Sequence, residues 1–135
     1  MPALQKNDVS LIPYSPIGGG VLSGKYQDGK RPEGARFSAY LQMGGRQFLM
    51  AQRFANDRAL EATARYMAIA KQVGMSPVTL ATAWSKQHSF VASTIVGASR
   101  FDQCAEIFAA IDLELPADVM KACDQVSKDI LYPMG

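Results

Sequence analysis

The residues best suited to chemistry lie in Ile12-Pro13-Tyr14-Ser15-Pro16-Ile17-Gly18-Gly19-Gly20-Val21-Leu22-Ser23-Gly24-Lys25. A short apolar run ends in proline, a glycine-rich turn follows, and a lysine closes it. Glycine can take positive φ and lets a backbone come close to a ligand. Successive N–H groups in such a turn can form a concave anion site, to which Lys25 would add a full charge. The plainer alternative is a flexible surface turn. A second stretch, Gly97-Ala98-Ser99-Arg100, stands at the start of a helical pattern, where unpaired N–H groups and the helix dipole favour an anion. Arg100 adds a planar fork that suits phosphate; an ordinary capped helix start with an exposed arginine is the alternative. Two such stretches, each at the end of a β-prone run, suit a ligand with phosphates at two places, such as a dinucleotide.

Other chemistries fit less well. Gly19 to Lys25 nearly matches the phosphate loop of nucleoside triphosphatases, but Tyr26 stands where a serine or threonine should hold magnesium. The residues after it, Gln27 to Pro32, read as coil rather than helix, so that assignment is rejected. His88 is the only histidine and has no carboxylate or cysteine nearby in sequence, which points to a structural role. Cys104 and Cys123 suggest neither a disulfide framework nor a metal site, and each reads as a small buried thiol. Trp84 falls on an apolar helix stripe and reads as core. Arg31, Arg36, Arg46 and Arg53 form a local basic excess that suits a phosphorylated ligand or, more plainly, solvated surface.

The elements that must position these groups follow from periodicity. Val9 to Ile12 and Val91 to Val96 read as two buried strands, each delivering a glycine turn at its C-terminal end, where ligands bind in α/β sheets. Residues 27 to 55 show no clean period and are read as a long loop. Asn56 or Asp57 can cap a helix carrying Leu60, Ala64, Met67, Ala68 and Lys71, with Gly74 just past its end. Ser76-Pro77 starts another with Leu80, Ala81 and Trp84 inward. Ser99, with Asp102 three residues on, nearly forms a capping box for a helix burying Cys104, Ala105, Phe108 and Ile111. Gln103 and Glu106 share another face of that helix. Pro116 opens a last helix with Val119, Met120, Cys123 and Val126 inward. Strands alternating with helices predict parallel βα units in one α/β domain over residues 1–135.

The same residues carry a family resemblance. Ile12 to Tyr26 resembles the loop after the seventh strand of the aldo-keto reductases, in the branch related to potassium-channel β subunits. Pro32 to Phe37, Gly74 to Ala81 with Trp84, and Ile95 to Gln103 continue the likeness over essentially the whole chain. That resemblance implies a partial (β/α)8 TIM barrel, strands seven and eight with their helices, and NADP(H) as cofactor for reducing aldehydes and ketones. It implies that Tyr14 flanks the nicotinamide. Ser15, Pro16, Ile17, Gly18 and Gly19, with Lys25, would hold the pyrophosphate side, and Arg36 would reach the phosphates. Gly97, Ser99, Arg100 and Gln103 would surround the adenosine 2′-phosphate, and Glu106 the adenine. Ile107 stands where the family commonly has asparagine, so one adenine hydrogen bond is missing from the pattern.

The family's aspartate, tyrosine, lysine and histidine belong to the first half of the barrel, and no residue of this chain lies in a matching motif. No catalytic residue is assigned, and without the positioned acid a bound nicotinamide gains little rate. The expected function is the NADP(H)-binding portion of an aldehyde or ketone reductase, as a fragment, a truncated frame or one piece of a split enzyme. The alternative is a non-catalytic NADP(H)-sensing or interaction module. An open edge on strand seven would make the chain depend on a complementary N-terminal fragment or on a homo-oligomer. A net charge of +2 over 135 residues gives no argument for nucleic acid as a partner. With no metal motif, no apolar run of membrane length and no signal-peptide core, a cytoplasmic setting without metal or membrane is expected.

Overall fold

The computed structural model describes residues 2–134 and is built mainly from helices. They are α1 (Pro2–Lys6), α2 (Arg36–Gln42), α3 (Gly45–Phe54), α4 (Asp57–Gln72), α5 (Pro77–Lys86), α6 (Cys104–Phe108) and α7 (Ala117–Asp129). Tight 3₁₀ turns occupy Gly18–Ser23, Gln27–Gly29 and Phe101–Gln103.

The expected partial barrel is not what the chain forms. Among the described residues there is no sheet, only two isolated parallel bridges, Leu11 to Val91 and Tyr14 to Ile95. Three hydrogen bonds join the two extended segments: Leu11 N–H to Phe90 O at 2.7 Å, Ala92 N–H to Leu11 O at 3.0 Å and Ile95 N–H to Pro13 O at 2.8 Å. The register slips between the bridges. They lie three residues apart on one segment and four on the other, so the ladder is broken by an extra residue. Pro13 offers no N–H to repair it, and among the described residues neither segment has a strand paired on its other side to hold it flat. Leu11, Ile12, Ile95 and Val96 are consequently exposed, where the sequence pattern predicts burial in a sheet.

The helices that do form have clear local causes. Asn56 caps α4 by accepting from the Ala59 N–H at 3.0 Å, and Gly74 follows its end at φ 68°. Ser76 caps α5 by accepting from the Thr79 N–H at 3.0 Å, with Pro77 in the first turn. Pro116 precedes α7, which buries Val119, Cys123 and Val126 as its period requires. The supposed loop at residues 27–55 holds α2 and α3 instead. Its glycines do not break those helices but punctuate them: Gly34 lies just before α2, Gly44 stands between α2 and α3, and Gly45 opens α3.

Two readings of helix faces are also corrected. On α4 the fully buried side chains are Ala59, Ala62, Thr63 and Ala70, while Ala64 and Ala68 are exposed. Small residues there admit both α7 and the glycine turn. In α6 and the turn that follows it the buried residues are Ile107 and Ala110, whereas Phe108 and Ile111 are 57% and 60% exposed. Ser99 does not cap that helix. Its N–H donates to Gln103 Oε1 at 3.0 Å, and the chain enters through the 3₁₀ turn.

Three apolar clusters hold the elements together. Ala70, Leu80, Ala83, Ala110, Leu115, Val119 and Cys123 join α4, α5 and α7, with Trp84 packed against them. Trp84 Nε1 also donates to Asp124 Oδ1 at 3.1 Å, as a half-buried indole needs. Val21, Tyr26, Ala35, Phe37, Ala51 and Ala59 form a second cluster beneath the glycine turn. Ala62, Val126 and Ile130 form the third, between α4 and the end of α7. His88 lies between rings, edge-on to Trp84 and stacked on Phe90.

Burial in the first cluster, with Asp124 adding to the effect, pushes the Cys123 thiol from 9.0 up to about 11. The unfolded chain thus releases this proton near pH 9 while the fold retains it. The associated stability is complete below pH 9 and is lost as pH rises through about 11, amounting to about 2–3 kcal/mol. Burial raises the Tyr26 and Tyr66 hydroxyls in the same direction. Urea midpoints should therefore fall between pH 9 and 11, and C123A should flatten that slope. An unchanged midpoint contradicts the account.

Candidate functional site

The glycine turn and the Gly97–Gln103 segment face one another across a cleft of about 470 Å³. That lies within the range of small-molecule sites. The parallel bridges are what bring the two segments together, since Tyr14 and Ile95 sit at the mouth of both turns.

On one side the cleft is lined by Tyr14, Ser15, Pro16, Ile17 and Gly19, with Lys25 and Arg36. Opposite stand Gly97, Ser99, Arg100, Gln103 and Glu106. Gly18 is the one candidate residue outside the lining. It is buried, and a methyl group on it would lie 2.7 Å from Met134 Sδ. Tyr14 is 79% exposed, with its ring free to lie against a ligand.

The turn's shape depends on glycine at two positions in particular. Gly19 has φ 63°, and a methyl there would sit 2.9 Å from Phe37 Cζ and 3.7 Å from Arg36 Nη1. Gly20 has φ 98°, and a methyl there would sit 2.8 Å from Lys25 Nζ. The backbone is thus draped over the heads of Lys25 and Arg36. It is not an open row of donors, however. The N–H groups of Gly18, Gly20 and Leu22 donate to Ser15 O, Ile17 O and Ile17 O at 2.9, 2.9 and 3.2 Å. The cleft draws its positive character from side chains more than from a backbone nest.

Those side chains are unbalanced. Burial, then the Arg100 charge and then the Arg36 charge hold the Lys25 ammonium below its ordinary pKa. Lys25 Nζ lies 5.3 Å from the Tyr26 ring centre, and among the described residues neither it nor Arg36 pairs with a carboxylate. Arg100 is different: Nε donates to Asp102 Oδ1 at 3.1 Å and Nη2 to Oδ2 at 2.7 Å. An anion entering the cleft would relieve the crowding of three cations. No group of His, Cys, Asp or Glu among the described residues could hold a metal ion, and no described helix is long and apolar enough to cross a membrane.

Residues 1–128 match the Aldo/keto reductase family over nearly the whole chain. The chain belongs to that family. Among relatives of this aldo/keto reductase chain, the protein named Protein tas of Escherichia coli is 33% identical over 129 residues, spanning 96% of this chain and 35% of that protein. A putative voltage-gated potassium channel subunit beta of Schizosaccharomyces pombe is also 33% identical over 129 residues, covering 93% of this chain and 36% of that protein. L-glyceraldehyde 3-phosphate reductase of Escherichia coli O157:H7 is 30% identical over 112 residues, or 83% of this chain and 31% of that enzyme. The chain therefore spans about a third of the length of the curated relatives it matches.

Sequence reasoning missed part of the lining. Val78 and Thr82, one turn apart on α5, form the floor, and Asp102 stands beside Arg100. The first two look like any core helix positions, and only the packing of α5 under the glycine turn turns them toward the cleft. Asp102 had a signal, a carboxylate two residues from an arginine, but its pattern suggested a capping box instead.

Proposed function

We propose that this chain supplies the NADP(H)-binding side of an aldo/keto-reductase-type oxidoreductase acting on aldehydes or ketones. One observation carries the reading. Residues implicated by the resemblance, from two segments some 80 positions apart, line a single cleft in which Lys25 and Arg36 lack an anion. Lys25 and Arg36 would hold the pyrophosphate, Arg100 with Ser99 and Gln103 the adenosine 2′-phosphate, Glu106 the adenine edge, and Tyr14 one face of the nicotinamide. When bound, the cofactor supplies hydride; the chain's own residues bind and orient it. His88 is packed between rings away from the cleft lining, and no residue in that lining is assigned as proton donor. The exposed apolar side chains on the two extended segments support dependence on a covering chain, either a complementary segment or a second copy.

Isothermal titration with NADPH, followed by an aldehyde turnover assay on the same preparation, tests the reading. Binding without turnover is expected. Absence of binding removes the cofactor assignment, and turnover by the lone chain refutes the statement that the proton donor lies elsewhere. Because a phosphate beside Lys25 restores the favourable environment of its ammonium, affinity should also fall as pH rises in the alkaline range below the ordinary lysine value.

A further inference from the structure

Two cations of the cleft are open and one is guarded. Lys25 and Arg36 have no carboxylate partner among the described residues, whereas the Arg100 fork is closed on Asp102 through Nε and Nη2 at 3.1 and 2.7 Å. Those two N–H groups form the edge of the guanidinium that a phosphate would engage in bidentate fashion. Asp102 belongs to the 3₁₀ turn Phe101–Gln103, two residues from Arg100, so the turn itself keeps the carboxylate close to the fork. The neighbouring donor is engaged internally as well: the Ser99 N–H points at Gln103 Oε1 at 3.0 Å. The pair is well exposed, 67% at the arginine side chain and 65% at the aspartate, so it exchanges partners readily and contributes little to the fold.

We propose that Asp102 is a built-in competitor for the phosphate at Arg100, and so limits how strongly the cleft favours a 2′-phosphorylated dinucleotide over its unphosphorylated counterpart. The proposal rests on the cofactor reading above. A dinucleotide bearing the 2′-phosphate must replace the Asp102 carboxylate on the Arg100 fork before it can engage those two N–H groups. A dinucleotide without that phosphate leaves the pair closed and meets no such cost. Asp102 would thus tune selectivity without touching the reacting atoms. The opposite role, in which Asp102 orients Arg100 for the ligand, predicts a change of opposite sign.

Fluorescence titrations of the full chain with NADPH and with NADH separate the cases, using wild type, D102N, R100A and the double variant. D102N should tighten NADPH about two- to five-fold, the range of an exposed ion pair, and leave NADH unchanged. The gain should vanish in the R100A background, an outcome that a general loosening of the turn would not produce. Equal or weaker NADPH binding by D102N, with wild type binding and R100A weakened, overturns this proposal alone. A gain that persists without Arg100 also overturns it, since bare repulsion would then suffice. A wild type that does not bind NADPH removes the cofactor reading and this proposal together, whereas an R100A variant with unchanged affinity strikes Arg100 from the site and overturns this proposal alone.

Discussion

Replacing Phe37 by alanine should destabilise the fold by about 3–5 kcal/mol, the range for truncating a fully buried aromatic. The ring is 1% exposed and sits at the centre of an aromatic cluster. Its neighbours are Tyr26, Tyr40 and Phe54, at centre-to-centre distances of 5.8, 6.1 and 5.5 Å. The Phe37 N–H donates to Tyr26 Oη at 3.1 Å, so the residue ties the glycine turn to α2 through backbone and ring together. Above it lies Gly19, whose missing side chain leaves room for that ring. The cavity left by alanine would therefore open directly under the cleft, loosening both Gly19 and the adjacent Arg36. Since a domain of this size has a total stability of about 5–15 kcal/mol, the loss is large enough to remove much of the folded population. Urea unfolding followed by far-ultraviolet circular dichroism reads it directly. F37L, which keeps most of the volume, should lose far less. A loss below about 1 kcal/mol in F37A would mean that the cluster collapses around the gap and does not hold the turn.

The second large effect concerns binding. K25M should weaken NADPH by about 10- to 100-fold, since a hydrogen bond to a charged group contributes about 1.5–3 kcal/mol, while leaving stability equal to or slightly above wild type. The combination follows from the Lys25 environment. Its ammonium is partly desolvated and flanked by Arg36 and Arg100, so in the ligand-free chain it is held at a cost. Methionine keeps the apolar stem against Tyr26 and removes the charge. A phosphate is the partner that would repay that cost, and losing the lysine removes a contact that exists only in the complex. The two readouts must move apart. Unchanged NADPH affinity would strike Lys25 from the site, and a marked loss of stability would show that its role is structural. Raising salt should narrow the difference between the proteins, as screening of partly exposed charges requires.

Much of the chain's local structure is legible without coordinates, for identifiable reasons. Asn56, Ser76 with Pro77, and Pro116 are end signals that act within one helical turn, so α4, α5 and α7 are found where those residues stand. α2 and α3 are hidden because Gly34, Gly44 and Gly45 crowd the stretch, and their role as separators is visible only once the helices on each side are known. Val91 to Val96 misleads for the opposite reason. Its composition is that of a strand, yet a strand is completed by neighbours, and Leu11 to Tyr14 supplies only a slipped, proline-interrupted partner. The candidate site follows the same division: Lys25, Arg36 and Arg100 stand out as cations beside glycines, while Val78 and Thr82 do not stand out at all.

By itself, then, the sequence determines the family, the starts of α4, α5 and α7 and the two glycine stretches with their cations, because each depends on residue type and short spacing. Tertiary structure alone decides that those turns share one cleft and that Lys25 is crowded by Arg36 and Arg100. It also decides that the β-prone segments meet at two bridges and form no sheet. Such outcomes depend on distances between residues far apart in the chain and on neighbours across a ladder, which no local pattern contains.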